Sequence, residues 1–186
     1  MDNDLKKNRP WVMPVQAINE DYQDTGFDRG HLNPNFMHCG MARVATFSLT
    51  NSVPQDPCFN RIVWYDIEST TKERFEQSCS FKQANRYVIT GAVPSKDKFI
   101  PPDDIIVDDQ PDKQTRRVNV PAYMWTLTCC DSSSANNGTS HFHGIIAENR
   151  GEGSIEEFSN VYSMEIRLTE LYGSSSNLTL LADGCN

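Results

Sequence analysis

The chain has 186 residues, 38% hydrophobic and 23% charged, a length and balance that suit one folded domain over residues 1–186 and exclude an intrinsically disordered chain. Its formal net charge is -8, from 25 acidic and 17 basic side chains, so no general basic surface draws it to nucleic acid. Only a local basic groove or a bound divalent cation would reverse the field where it matters.

Residues 1–26 are polar and turn-rich around one short apolar stretch, Trp11 to Val15, where a strand is expected. The stretch FDRGHLNPN, Phe27 to Asn35, follows. Ala45 to Thr50 alternates apolar and polar residues, the period of a strand. Asn51 to Pro57 is a loop with two prolines. From about Phe59 to Phe75 the apolar positions Ile62, Val63, Trp64, Ile67 and Phe75 recur near helical spacing with no Pro or Gly, which predicts a helix. Arg86 to Pro94 reads as a buried strand ended by proline. Residues 95–116 form a charged loop rich in Pro and Asp. Val118 to Cys129 and His141 to Ala147 predict two further strands, separated by a Ser/Asn/Gly-rich turn at 132–140. Ser154 to Tyr172 reads as helical. Strands and helices alternate irregularly, so the expected class is α+β, a mixed or antiparallel sheet with flanking helices.

Six cysteines are present, none in a CxxC pair, which argues against a zinc ribbon and permits up to three disulfides in fifteen pairings. Two N-x-S/T sequons begin at Asn137 and Asn177, both in polar loop-like stretches. Cysteines and sequons together favour a secretory origin. The first ten residues, MDNDLKKNRP, lack the apolar core of a signal peptide, so an intracellular protein is the alternative if Met1 is the true start. No run reaches the ~18 apolar residues of a membrane-spanning helix.

FDRGHLNPN places an acid, a cation, a glycine and an imidazole side by side. A histidine serves as general base when it is neutral near pH 7 and held in one orientation. Gly30 lets the backbone approach a ligand or take an unusual turn. Arg29 suits a phosphate oxygen through its planar fork. Four polar residues in a surface turn are the plainer reading of that stretch alone. Downstream, Asn60 opens the predicted helix with a neutral amide oxygen, a ligand for a hard divalent cation that leaves the ion's charge intact. Mg²⁺ takes few protein ligands and shares substrate phosphate oxygens. Glu68 follows eight residues later, offset by roughly 80° around a regular helix. Lys72 stands one turn beyond, placed for an i,i+4 pair with Glu68. A capped helix with a solvated Glu/Lys face is the competing reading.

Taken together, DRGH at 28–31, TNSVPQ at 50–55 and FNRIVWYDIE at 59–68 resemble the DNA/RNA non-specific endonuclease family, the ββα-metal nucleases, from about Arg9 to the C-terminus. The resemblance implies metal-dependent, sugar-non-specific hydrolysis of phosphodiester bonds in DNA or RNA, giving 5′-phosphate products. It implies His31 as general base, Asn60 as the protein's ligand to Mg²⁺ (or Mn²⁺ or another divalent cation) and Arg29 as a phosphate contact. Glu68 becomes the carboxylate that orients metal waters, Asn51 a supporting asparagine, and Lys72 a further substrate contact where relatives often carry arginine. It places His31 at a strand end and Asn60 at a helix start.

Relatives carry a longer stretch before DRGH, whereas 27 residues precede Asp28 here. That shortness and the acidic balance define the alternative, a catalytically weak or inactive member acting as a binding or immune-associated protein. His141 and His143 alternate in a predicted strand without acidic or cysteine neighbours, so a metal pair there is disfavoured. His38 beside Cys39 lacks an orienting partner for a nucleophile. Trp64, Tyr123 and Trp125 read as core before they read as base-stacking residues.

Overall fold

The structure, a computed structural model, describes residues 16–79, 84–103, 115–131, 140–181 and Cys185. The strand expected at Trp11 to Val15 and the sequon at Asn137 lie outside these residues. Two layers pack on the faces of one antiparallel sheet of four strands in sequence order: β3 (Asn85–Ile100), β4 (Val118–Asp131), β5 (His141–Glu148) and β6 (Ile155–Phe158). This is an α+β architecture, as expected. No helix among the described residues is long and apolar enough to cross a membrane.

Side chains alternate across the sheet, and the alternation divides the core. Met124 of β4 with Ile145 and Ala147 of β5 face one layer, where they bury Phe59, Trp64 and Ile67. Trp125, Leu127 and Ile146 face the other, where they bury Met164 and Leu168 of the C-terminal helix α4 (Val161–Tyr172). The same alternation resolves the disulfides. Cys129 and Cys130 are adjacent on β4 and point to opposite faces. Cys130 bonds Cys79 on the first side and Cys129 bonds Cys185 on the second. Cys39 and Cys58 are free and exposed.

The first layer carries a smaller unit. A short helix α1 (Asn19–Tyr22) precedes β1 (Asp28–His31), which pairs antiparallel with β2 (Ser52–Gln55) in the register Asp28 to Gln55 and His31 to Ser52. Pro54 lacks an N–H and is accommodated because the ribbon has only two strands. Between them lies α2 (Gly40–Ala45). After β2, Asp56 accepts the Phe59 N–H at 3.0 Å and Pro57 occupies the first helical turn, so the chain enters a helix at once. Its opening segment, Phe59–Trp64, is π-helical and runs into α3 (Tyr65–Ser78).

Three expectations change. Ala45 to Thr50 is not a strand: Thr46 and Leu49, three apart, are the buried pair, and the polar residues act as caps. Thr46 Oγ1 donates to the Arg43 carbonyl at the end of α2, and Ser48 caps the 3₁₀ turn Leu49–Asn51. Residues 155–158 pair with β5 as β6, and the helix starts only after Asn160, whose side chain accepts the Ser163 N–H at 2.9 Å. β3 runs on to Ile100, through register shifts near Pro94, where a loop was expected from residue 95.

Candidate active site

β1, β2 and the helix that follows bring three of the candidate residues, His31, Asn60 and Glu68, to one place. His31 ends β1, and Asn60 lies in the first turn of the helical segment. With Glu68, Tyr65, Arg61, Phe36, Asn35 and Pro34 they line one solvent-open cavity of about 340 Å³. The π segment matters here. In a regular helix Phe59 and Trp64 would diverge by about 140°. The wider π turn puts both on the buried side, their rings 5.6 Å apart. It also removes much of the angular offset between Asn60 and Glu68, so both reach the same cavity.

His31 is half-buried, its ring edge-on to Phe47 at 5.5 Å between centroids. Burial holds its imidazole below the usual histidine range, which keeps it neutral near pH 7. Its Nε2 is buried with no hydrogen-bond partner. Gly30 beside it does not take an unusual turn. It is an ordinary strand residue, and a Cβ there would overlap the buried Gln55 side chain. The glycine serves packing across the ribbon, not a close backbone approach to a ligand.

Asp28 is the residue the sequence reading left without a role. Its carboxylate takes Arg61 in a two-pronged pair, Nε to Oδ2 at 2.8 Å and Nη2 to Oδ1 at 2.7 Å. Asn60 Nδ2 donates to the same Oδ2 at 3.0 Å. Arg61 holds the Asp28 carboxyl below the usual range, against an opposing effect of burial. Because Asn60 spends its amide nitrogen on Asp28, its Oδ1 is left as the acceptor. A neutral oxygen fixed by a second carboxylate suits a hard divalent cation.

Burial pushes the Glu68 carboxyl up to about 8, and the Trp64 indole draws it back only partly. Trp64 Nε1 makes no hydrogen bond of good geometry. A carboxylate so desolvated is a favourable neighbour for a positive ion.

Asn51 frames the loop after His31. It donates through Nδ2 to the carbonyls of Asn33 and Thr46, both at 2.9 Å, and accepts the Asn33 N–H at 2.9 Å. The remaining two candidates stand apart. Arg29 is exposed on β1, its guanidinium 5.5 Å over the Tyr22 ring, and it does not line the cavity. Lys72 does not pair with Glu68: one turn further on, Glu76 takes it at 3.9 Å. Lys72 lines a second, adjoining cavity of about 660 Å³ with His38, Asn33 and Arg86.

The disfavoured candidates have ordinary partners. His38 Nε2 lies 2.7 Å from Asn33 Oδ1, His141 Nε2 lies 3.1 Å from Ser78 Oγ, and His143 Nε2 lies 3.2 Å from Glu157. Among the described residues no three His, Cys, Asp or Glu side chains gather as a metal site. Trp64 and Trp125 are core, and Tyr123 packs half-buried against it.

Three kinds of comparison relate the chain to known proteins. The profile of the DNA/RNA non-specific endonuclease family matches residues 8–172. Endonuclease domain-containing 1 protein of Homo sapiens is 31% identical over 142 residues, 76% of this chain and 24% of that protein. Mitochondrial endonuclease G of Homo sapiens is 36% identical over 78 residues, 41% of this chain and 25% of that protein. The chain therefore spans about a quarter of the length of these curated relatives. Among solved structures, EndoG in its complex with EndoGI superposes with a TM-score of 0.59 at 22% identity, covering 84% of this chain and 61% of that one, which establishes a shared fold.

Proposed function

Because the chain belongs to the DNA/RNA non-specific endonuclease family, we propose that residues 1–186 form one nuclease domain that hydrolyses phosphodiester bonds of DNA or RNA with a divalent cation. In this reading the products carry 5′-phosphates and Mg²⁺ is the preferred ion. The observation that carries it is one cavity holding a neutral, half-buried His31 beside an Asn60 whose amide nitrogen is already committed to Asp28. The family implies the cation, and the residues fit it: the Asn60 amide oxygen accepts no hydrogen bond from the described residues, and Glu68 supplies a desolvated carboxylate on the same cavity. When bound there, the cation would stabilise negative charge on the phosphoryl and leaving oxygens.

The protein's own residues do the rest. His31, held neutral by burial, accepts a proton from a water facing the phosphorus. The Phe47 ring edge restricts the imidazole's orientation. Asp28 positions Asn60 and Arg61 together. Asn51 fixes the backbone just after His31 through two hydrogen bonds to Asn33 and ties it to Thr46 through a third, and so acts on the base at one remove. Arg29 and Lys72 contact the substrate outside the cavity, each leaving its present partner to do so. The two disulfides and the exposed Asn177 sequon fit a secretory protein.

Plasmid digestion tests the reading. Purified protein with Mg²⁺ at low salt should nick and degrade plasmid, and His31→Ala should abolish this. A wild-type protein inert with every divalent cation would sink the proposal in favour of a binding role. Equal cleavage by wild type and His31→Ala would assign the activity to a contaminant or another base.

A further inference from the structure

Two exposed aromatic rings stand at the site, one against His31 and one on the cavity wall, and neither belongs to the core. Phe47 is 56% exposed, yet its ring meets His31 edge-on at 5.5 Å. It is presented by the turn after α2, whose Thr46 is buried and bonded beneath it. Tyr65 is 58% exposed and forms part of the cavity wall, braced edge-on by Phe36 at 6.1 Å. A folded chain normally buries a phenylalanine, so one left in water against the candidate base is informative.

The electrostatics around these rings say what they meet. Three cations close to the site already have partners: Arg61 on Asp28, Lys72 on Glu76, and Arg29 over Tyr22. The chain as a whole carries -8. A duplex presents one phosphate charge per ~1.7 Å of axis, twice the density of a single strand, and is held mainly by paired cations. A single strand offers unstacked bases that aromatic rings bind with little sequence preference.

From this we infer that the site takes single-stranded nucleic acid, with bases near the scissile phosphate stacked on Phe47 and Tyr65. The inference rests on the nuclease reading for the phosphate's place beside them. Stacking then adds to the phosphate contacts of Arg29 and Lys72 and sets the preference for unstacked bases.

The test uses one mixed-sequence oligonucleotide, as a single strand and as its duplex. Binding is read by fluorescence anisotropy in EDTA, and cleavage of the same pair is read with Mg²⁺. Wild type should prefer the single strand in both. Phe47→Ala and Tyr65→Ala should each weaken single-strand binding by about tenfold to hundredfold. Phe47→Trp should retain it. The cleavage loss should lie in KM for the single strand, so that its preference over duplex falls. Equal wild-type affinity for both forms would overturn the inference. So would an equal loss on both forms, or a loss confined to kcat, which would mean that Phe47 only holds His31. Single-strand preference in EDTA without any cleavage in Mg²⁺ would overturn the nuclease reading and leave the stacking platform standing.

Discussion

Asp28 and Asn60 stand 32 residues apart in the chain and meet through one hydrogen bond of 3.0 Å, Nδ2 to Oδ2. That bond fixes which end of the Asn60 amide faces the cavity. Asp28→Ala frees the amide to rotate and strips Arg61 of its partner. Its apparent affinity for Mg²⁺ should fall about 10- to 100-fold, the usual effect of losing a partner behind a ligand. Raising the cation concentration should recover part of the activity. Arg61→Ala breaks an exposed pair and leaves the Asn60 bond in place, so its effect on the Mg²⁺ titration should be smaller. Identical titration curves for wild type and Asp28→Ala would deny Asp28 this role.

Gly30 is constrained by packing. Any side chain there meets Gln55, which is fully buried beneath β1. Gly30→Ala should lower stability by about 1–3 kcal/mol, read from the urea midpoint, through overpacking. Shortening the obstructing group, in Gly30→Ala with Gln55→Ala, should cost less than the sum of the two single changes. Strict additivity would place the strain elsewhere.

The His31 imidazole titrates below its ordinary value because burial disfavours the cation. As a base it works only when neutral, so the acid limb of kcat/KM should fall at a pH below the usual histidine range. The same shift acts on folding. Between the lowered folded value and the ordinary unfolded one, the unfolded chain binds more protons, so stability rises with pH across that window and is lost as pH falls through it. His31→Asn removes this dependence, and a denaturation series over that window compares the two proteins. An acid limb above the ordinary range would refute the desolvated-base reading.

How much of this was legible in the sequence depended on how local each signal is. The helix from Phe59, with Asn60 at its start, was readable from its apolar spacing, whereas the strand end at His31 was implied only by the family resemblance. The Asp28 pair with Asn60 and Arg61 joins residues 32 and 33 positions apart, and no periodicity announces it. The π turn was invisible because it shifts phase without changing residue types, so the expected Glu68 offset came out too large. Lys72 illustrates a simpler ambiguity: an acid stands four residues to either side, and Glu76 takes it because Glu68 turns into the cavity. The disulfide pairing became readable only with the strand: adjacent Cys129 and Cys130 must face opposite layers. The error at Ala45 to Thr50 has the reverse cause, since two helix-capping hydroxyls imitate the polar phase of a strand.

Glu68 sets cation binding against stability. Its carboxyl is pushed up to about 8 by burial, above the ordinary carboxylate range. The metal-free folded protein therefore holds a proton there that the unfolded chain releases near its usual value. Stability should fall as pH rises from about 4.5 towards 8, then level off once the folded state has also ionised. Glu68→Gln, which resembles the protonated form, escapes this cost. In EDTA its melting temperature should match wild type near pH 4.5 and exceed it increasingly up to about pH 8. Adding Mg²⁺ should raise the wild-type melting temperature at pH 8 and raise that of Glu68→Gln much less, because bound cation stabilises the charged carboxylate. A Glu68→Gln protein that is less stable than wild type at pH 8 in EDTA would show that the carboxylate is held by partners and is not a desolvated group waiting for a cation.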